Sequence, residues 1–166
     1  MLNKRVEAAM NDQLQKELQS AYVYLGMSAY CESQSLPGFA QWLRTQFEEE
    51  QQHAFRFYNF IIDRGGKVDL QQLNAPPTEY KSVRNVFETA LEHEKAVTAA
   101  INDLYDLVAN EKDYASQAWL DWFATEQVEE EKMVGQIVDD LRRVGDDGNG
   151  LFMLDRAMGQ RTTAEG

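Results

Sequence analysis

A single offset of 77 residues carries three polar positions of the first half of this chain onto three of the second: Glu17, Glu50 and His53 onto Glu94, Gln127 and Glu130. Glu17 and Glu50 are 33 residues apart, as are Glu94 and Gln127, and each half repeats a polar residue three positions later. The offset also aligns Trp42-Leu43 with Trp119-Leu120 and Glu49 with Glu126. This is the signature of a duplicated helix pair whose inner faces carry the same chemistry. Four carboxylates and one imidazole brought together inside a helical bundle make a site for two iron ions.

Apolar residues recur every three or four positions through most of the chain, which is the helical period. The predicted helices span about 3–32, 37–63, 80–109 and 114–144, with a short fifth at about 149–160. On the first, the stripe includes Met10, Leu14, Ala21 and Leu25. Ser35-Leu36-Pro37-Gly38 breaks it, with Pro37 suited to the next first turn. The second helix turns Phe39, Leu43, Phe57 and Phe60 inward and ends at Arg64-Gly65-Gly66. The first and second helices, and the third and fourth, are joined by short breaks and so form antiparallel hairpins. Between the hairpins, a stretch of about 15 residues containing Pro76-Pro77 lacks helical periodicity. Extended, it reaches roughly 50 Å, against roughly 42 Å for a helix of about 28 residues. It can therefore cross the whole bundle. The predicted fold class is all-α: an up-down-down-up four-helix bundle with one long crossover and a short C-terminal helix, forming a single domain over 1–166. The last residues, Arg161 to Gly166, read as a frayed end.

Register decides which acidic residues matter, since most of the 28 must be solvated. The second helix has an inward seam of Phe39, Leu43, Gln46, Glu50, His53, Phe57 and Phe60, stepping by four and three. The third reads Val83, Phe87, Ala90, Glu94, Val97, Ile101, Leu104; the fourth reads Leu120, Phe123, Gln127, Glu130, Val134, Ile137, Leu141. The first reads Met10, Leu14, Glu17, Ala21, Tyr24. All four seams are interrupted near mid-helix by a polar residue, with almost no Lys or Arg to balance them. A buried carboxylate without a partner costs several kcal/mol or is forced to protonate. Four at one level call for cations, and carboxylates with a single imidazole suit iron or manganese.

The net charge of −12 disfavours nucleic acid or an anionic membrane surface as partner. Cys31 is the sole cysteine, which excludes a disulfide framework and thiolate metal sites. No apolar run approaches the roughly 20 residues of a transmembrane helix. The N-terminus becomes amphipathic at once, unlike a signal peptide. A cytoplasmic location is expected.

These residues resemble the bacterial non-haem ferritins over nearly the whole chain. The resemblance rests on Glu17 before Tyr24, the Glu49-Glu50-Gln51-Gln52-His53 block, Glu94, the Glu126-Gln127-Val128-Glu129-Glu130 block, and Gly150-Leu151-Phe152-Met153 opening the last helix. It implies that Glu17, Glu50 and His53 hold one iron and Glu94 and Glu130 the other, with Glu50 bridging. Gln127 would sit beside the second iron. A third, weaker iron site would use Glu49, Glu126 and Glu129, sharing Glu130. It implies a ferroxidase that oxidises Fe(II) with dioxygen or hydrogen peroxide and deposits ferric mineral inside a 24-subunit shell. Tyr24 has three open roles: electron donor during oxygen reduction, hydrogen-bond partner to a ligand carboxylate, or plain core residue. Trp122 is expected in core packing, His93 at the surface, Glu131 in solvent, and Cys31 as a small buried residue.

Departures from related families narrow the reading. Bacterioferritins and rubrerythrins repeat the Glu-x-x-His on the fourth helix, where this chain has Gln127 and Glu130. A haem-ligating Met after the bridging Glu is replaced by Gln51, so no haem ligand is expected. One cysteine cannot supply the Cys-x-x-Cys iron domain of a rubrerythrin. Two other functions remain distinguishable: a non-storage diiron oxidase or peroxide scavenger, which would not need a closed shell, and a metal-free structural bundle, which would bind no iron.

Overall fold

The computed structural model describes residues 2–161; of the stretch expected to fray, 162–166 lie outside the described residues. Five helices follow in order: α1 (Lys4–Ser33), α2 (Pro37–Asp63), α3 (Val83–Asn110), α4 (Tyr114–Val144) and α5 (Gly148–Met158). No strand occurs among the described residues, and none of their helices is long and apolar enough to cross a membrane. α1 packs along α2, α3 along α4, and α1 against α3. Most helix starts are capped by side chains. Asn3, Ser82, Asp113 and Asp147 accept from backbone N–H groups of the first turns, and Pro37 opens α2. Ser82 takes the cap of α3, so that helix begins three residues later than the apolar period suggested.

The sequence repeat extends into the loops. Ser35 and Lys112, again 77 apart, both adopt positive φ, at 59° and 57°. The N–H of Leu36 donates to Cys31 O at 3.0 Å, and the N–H of Asp113 donates to Val108 O at 2.9 Å. This is the same helix-ending bond pattern in both hairpins.

The crossover rises alongside α1. Asp69 N–H donates to Asn11 Oδ1 (2.7 Å), Asn74 N–H to Gln19 Oε1 (2.7 Å), and Pro76 abuts Gly26. These successive levels bring the chain from the foot of α1 to its head. α3 therefore starts beside the start of α2 and runs parallel to it, giving the up-down-down-up bundle.

The apolar interior is divided in two. One core contains Tyr24, Met27, Phe39, Leu43, Phe87, Val134 and Ile137; the other contains Met10, Leu14, Phe57, Ile61, Ile101, Leu120 and Phe123. Leu25, expected on the stripe of α1, is exposed instead. The seam steps from Tyr24 to Met27 and Ser28, which leaves Leu25 about 100° off the buried face. Phe60 is only half-buried, stacked on Trp119 with ring centres 4.2 Å apart. α5 docks on the start of α2 through the buried Asp155, whose Oδ1 accepts from Phe39 N–H at 3.0 Å. The fit requires Gly38: a Cβ there would lie 1.6 Å from the Asp155 carbonyl oxygen.

Candidate metal centre

Between the two apolar cores lies a layer of six polar side chains, Glu17, Glu50, His53, Glu94, Gln127 and Glu130, none more than 5% exposed. Each occupies a seam position of its helix, so the heptad-like stepping that buries the flanking Leu and Phe residues buries these too. Glu50 and His53 are one turn apart on α2, with His53 Nδ1 3.5 Å from Glu50 Oε2 and 3.9 Å from Glu17 Oε2. Ligand atoms of Glu17, Glu50 and His53 all fall within 4.8 Å of one another, a spacing suited to one metal ion. The other face of the imidazole takes part in a second group. His53 Nε2 is 3.9 Å from Glu126 Oε1, and His53, Glu126 and Glu130 also converge within 4.8 Å.

Glu94 lies outside both groups. The Tyr24 hydroxyl donates to Glu94 Oε1, and Gln127 Nε2 donates to Glu94 Oε2 at 3.2 Å. Of the three roles open for Tyr24, the geometry shows two: it donates to a carboxylate and packs in the apolar core. Glu129, expected with Glu49 and Glu126 at a third site, is exposed, while Glu49 and Glu126 are half-buried. With Glu130, all line one cleft of about 610 Å³ that also touches Trp42, Met133 and Arg161.

Amides, rather than Lys or Arg, hold the carboxylates of the buried layer. Gln13 Nε2 donates to Glu17 at 2.7 Å, and Gln46 Nε2 donates to Glu130 at 2.7 Å and to Glu50 at 3.5 Å. Burial raises Glu17 and Glu50 well above the ordinary carboxylate range, and neighbouring carboxylates raise them further. Glu130 is pushed up to about 8, by burial first and then by the charge of Glu94. Burial also raises Glu126, with His53 acting in the opposite sense. Burial thus favours protonation of Glu17, Glu50 and Glu130, and a cation bound there would compete with those protons.

Several positions differ from expectation. His93 is not a surface residue; its Nε2 lies 2.7 Å from Ser20 Oγ and its ring meets Tyr24 edge-on. The 100° rotation from Glu94 turns it toward α1, where the two hairpins meet, and not toward solvent. Glu131 is half-buried and accepts from Thr98 Oγ1 at 2.6 Å. Trp122 packs in the core cluster and also edges onto His53, with ring centres 5.4 Å apart. Cys31 is fully buried, as expected. Arg161 is not frayed: its guanidinium lies over Trp42 and bonds Gln46 and Glu49. Gln13 and Gln46 went unassigned because a buried Gln on a seam has no distinctive spacing; their positions four residues before Glu17 and Glu50 are the available signal.

A sequence model of the Ferritin-like domain matches residues 7–144. The chain is 39% identical over 163 residues to a probable bacterial non-heme ferritin-like protein of Haemophilus influenzae, covering 98% of this chain and 99% of that protein. It is 38% identical over 165 residues to a bacterial non-heme ferritin of Staphylococcus aureus, covering 99% of each. Among solved structures, an open-pore ferritin from the archaeon Archaeoglobus fulgidus superimposes with a TM-score of 0.96 at 39% identity, over 97% of this chain and 98% of that one. A humanized archaeal ferritin superimposes with a TM-score of 0.98 at 38% identity, over 99% of each chain.

Proposed function

Since the chain belongs to the ferritin family, we propose that it stores iron in the cytoplasm, oxidising Fe(II) at the buried polar layer before depositing it as ferric mineral. The observation that carries this reading is the layer itself. Four buried carboxylates and an imidazole interrupt an otherwise continuous apolar interior, and amides rather than Lys or Arg hold the inner four.

In this reading two Fe(II) ions are the substrate. Glu17, Glu50 and His53 hold one, and Glu94 and Glu130 hold the other, with Glu50 between them and Gln127 alongside. Each iron gives up one electron. Dioxygen takes both electrons and two protons, leaving as hydrogen peroxide. The protons displaced from the carboxylates when iron binds are available for that step. Hydrogen peroxide as oxidant would take two electrons and two protons and leave as water. The protein contributes fixed ligands, and the two apolar cores exclude bulk water above and below the layer. Glu49, Glu126 and Glu129, on the cleft side of Glu130, form a third, weaker stop for iron.

Storage requires an enclosure, and we infer a 24-subunit shell. Exposed apolar residues support it: Phe152 and Met153 on α5 are 60% and 71% exposed, and Phe55, Ile62 and Leu70 are also uncovered. The acidic excess would concentrate Fe(II) at the shell.

The test is aerobic addition of two Fe(II) per subunit to metal-free protein, followed by ferric absorbance, with Glu50→Ala in parallel. Oxidation should outpace buffer and fall by more than about tenfold in the variant. Wild-type oxidation at the buffer rate would overturn the ferroxidase reading.

A further inference from the structure

Arg161 reaches Gln46 and Glu49, at the acidic cleft, across more than a hundred residues of sequence. Its position is built, beginning with the docking of α5 onto Gly38 through Asp155. Gly159 then passes against Gly38, and backbone bonds from Gly159, Gln160 and Arg161 to Asp155, Ala157 and Met158 continue the turn. The guanidinium consequently lands on one face of α2, formed by Trp42, Gln46 and Glu49. It stacks 4.3 Å from the Trp42 ring centre, donates through Nη1 to Gln46 Oε1 at 2.9 Å, and pairs through Nη2 with Glu49 Oε2. Both charged side chains are largely covered, at 15% and 12% exposure.

This contact reaches the inner layer through one amide. Arg161 only donates, so it fixes the Gln46 oxygen toward itself. The Gln46 nitrogen must then face inward, where it donates to Glu130 Oε2 at 2.7 Å and Glu50 Oε1 at 3.5 Å. A cation entering the cleft therefore meets a ligand, Glu49, already paired with a positive charge, and a second, Glu130, already held by an amide.

We propose that Arg161 is a tethered guanidinium gate on the outer carboxylate cleft. It occupies Glu49 and locks Gln46 onto Glu130 until a divalent cation displaces it. Displacement frees Glu49 as a ligand and lets Gln46 turn, so that loading the cleft and loosening the hold on Glu130 are one event. The gate lowers the affinity of the cleft without touching Glu17 or His53. Iron leaving the inner layer is thereby held only briefly at Glu49, Glu126 and Glu129. The proposal rests on the reading of the layer and cleft as iron sites.

Anaerobic calorimetric titration of assembled, metal-free protein with Fe(II) tests it, comparing wild type with Arg161→Ala and Arg161→Lys. Wild type should bind two ions tightly and one weakly per subunit. Removing a competing, largely covered pair should tighten the weak site by roughly tenfold, a larger change than at either tight site. Lysine keeps the charge but cannot fork between Gln46 and Glu49, so its weak site should fall between the two. A weak site unchanged or weakened in both variants would overturn the gate and reduce Arg161 to a clasp for α5. Wild-type protein that takes up no Fe(II) would overturn the underlying iron-site reading instead, and the gate with it. Should Arg161→Ala fail to assemble, the lysine variant alone decides, because it preserves the charge.

Discussion

Replacing Glu130 with Gln should stabilise the metal-free protein at neutral pH while impairing iron oxidation. Glu130 has an ordinary value near 4.5 and is pushed up to about 8 in the folded chain. A carboxylate raised on folding contributes stability that is fully present below its unfolded value. That contribution is lost as pH rises from the unfolded to the folded value, because over that range the folded state holds a proton that the unfolded state has released. Between these values the folded protein must keep the proton against an increasingly unfavourable solution. At pH 7 the resulting cost is about 3 kcal/mol for Glu130 alone, against under about 1 kcal/mol at pH 5. Glutamine preserves the shape and an acceptor for Gln46 Nε2 but carries no charge to desolvate. The variant should therefore melt with the wild type near pH 4.5 and roughly 6–12 °C above it at pH 7. The assay is thermal unfolding of both proteins, stripped of metal, at matched subunit concentration from pH 4.5 to 8. Adding Fe(II) anaerobically should raise the wild type most, because the ion replaces the protons. A pH-independent gap, or a variant less stable at pH 7, would refute the account of Glu130 as a group whose burial opposes its charge.

Two further perturbations follow from packing and hydrogen bonding. Gly38→Ala sets a Cβ into the Asp155 carbonyl, so α5 must shift at a cost of about 1–3 kcal/mol. Sedimentation velocity should show a loss of the largest species, and an unchanged profile would separate α5 docking from assembly. Tyr24→Phe removes the hydroxyl that donates to Glu94 and should lower metal-free stability by about 1–2 kcal/mol. Urea unfolding measures it, and an unaltered midpoint would mean that Gln127 alone satisfies Glu94.

The duplication was legible because metal chemistry and helix register repeat together. The residues at 17, 50, 53, 94, 127 and 130 sit where a period of alternating three and four demands Leu or Phe, so the anomaly and its partners could be read in one pass. Loop lengths gave the crossover for the same reason, since distance along an extended chain is bounded. What the sequence concealed depends on which helix faces which. His93 is 100° from Glu94, and only the meeting of the two hairpins turns that direction toward Ser20 and Tyr24. Glu131 resembles its solvated neighbours until Thr98 arrives from α3. Arg161 lies in a polar tail with no periodicity, and its place in the acidic cleft follows from the close approach of α5 at Gly38. The positive-φ turns at Ser35 and Lys112 were hidden differently. Neither residue favours that backbone, and the turn is imposed by the two helices it joins.

The polar layer is hard to explain as a stability device. Six apolar side chains at these positions would fuse the two cores, each contributing roughly 1.5–3 kcal/mol on burial. The chain instead keeps carboxylates whose burial opposes their charge, supported by Gln13 and Gln46 in place of a Lys or Arg. An internal cation at Glu17 or Glu50 would stabilise the empty protein and obstruct the site to the same degree. An amide partner satisfies a carboxylate while leaving its charge requirement unmet, so an incoming divalent ion finds ligands that are oriented but not neutralised. Arg161 breaks this pattern at Glu49, on the cleft side of the layer, where a bound ion must also be able to leave. On the proposed reading, amide support within and guanidinium support without would order the carboxylates by affinity, from tight at the centre to weak at the cleft. Such a gradient would favour transfer of iron from the centre toward the cleft.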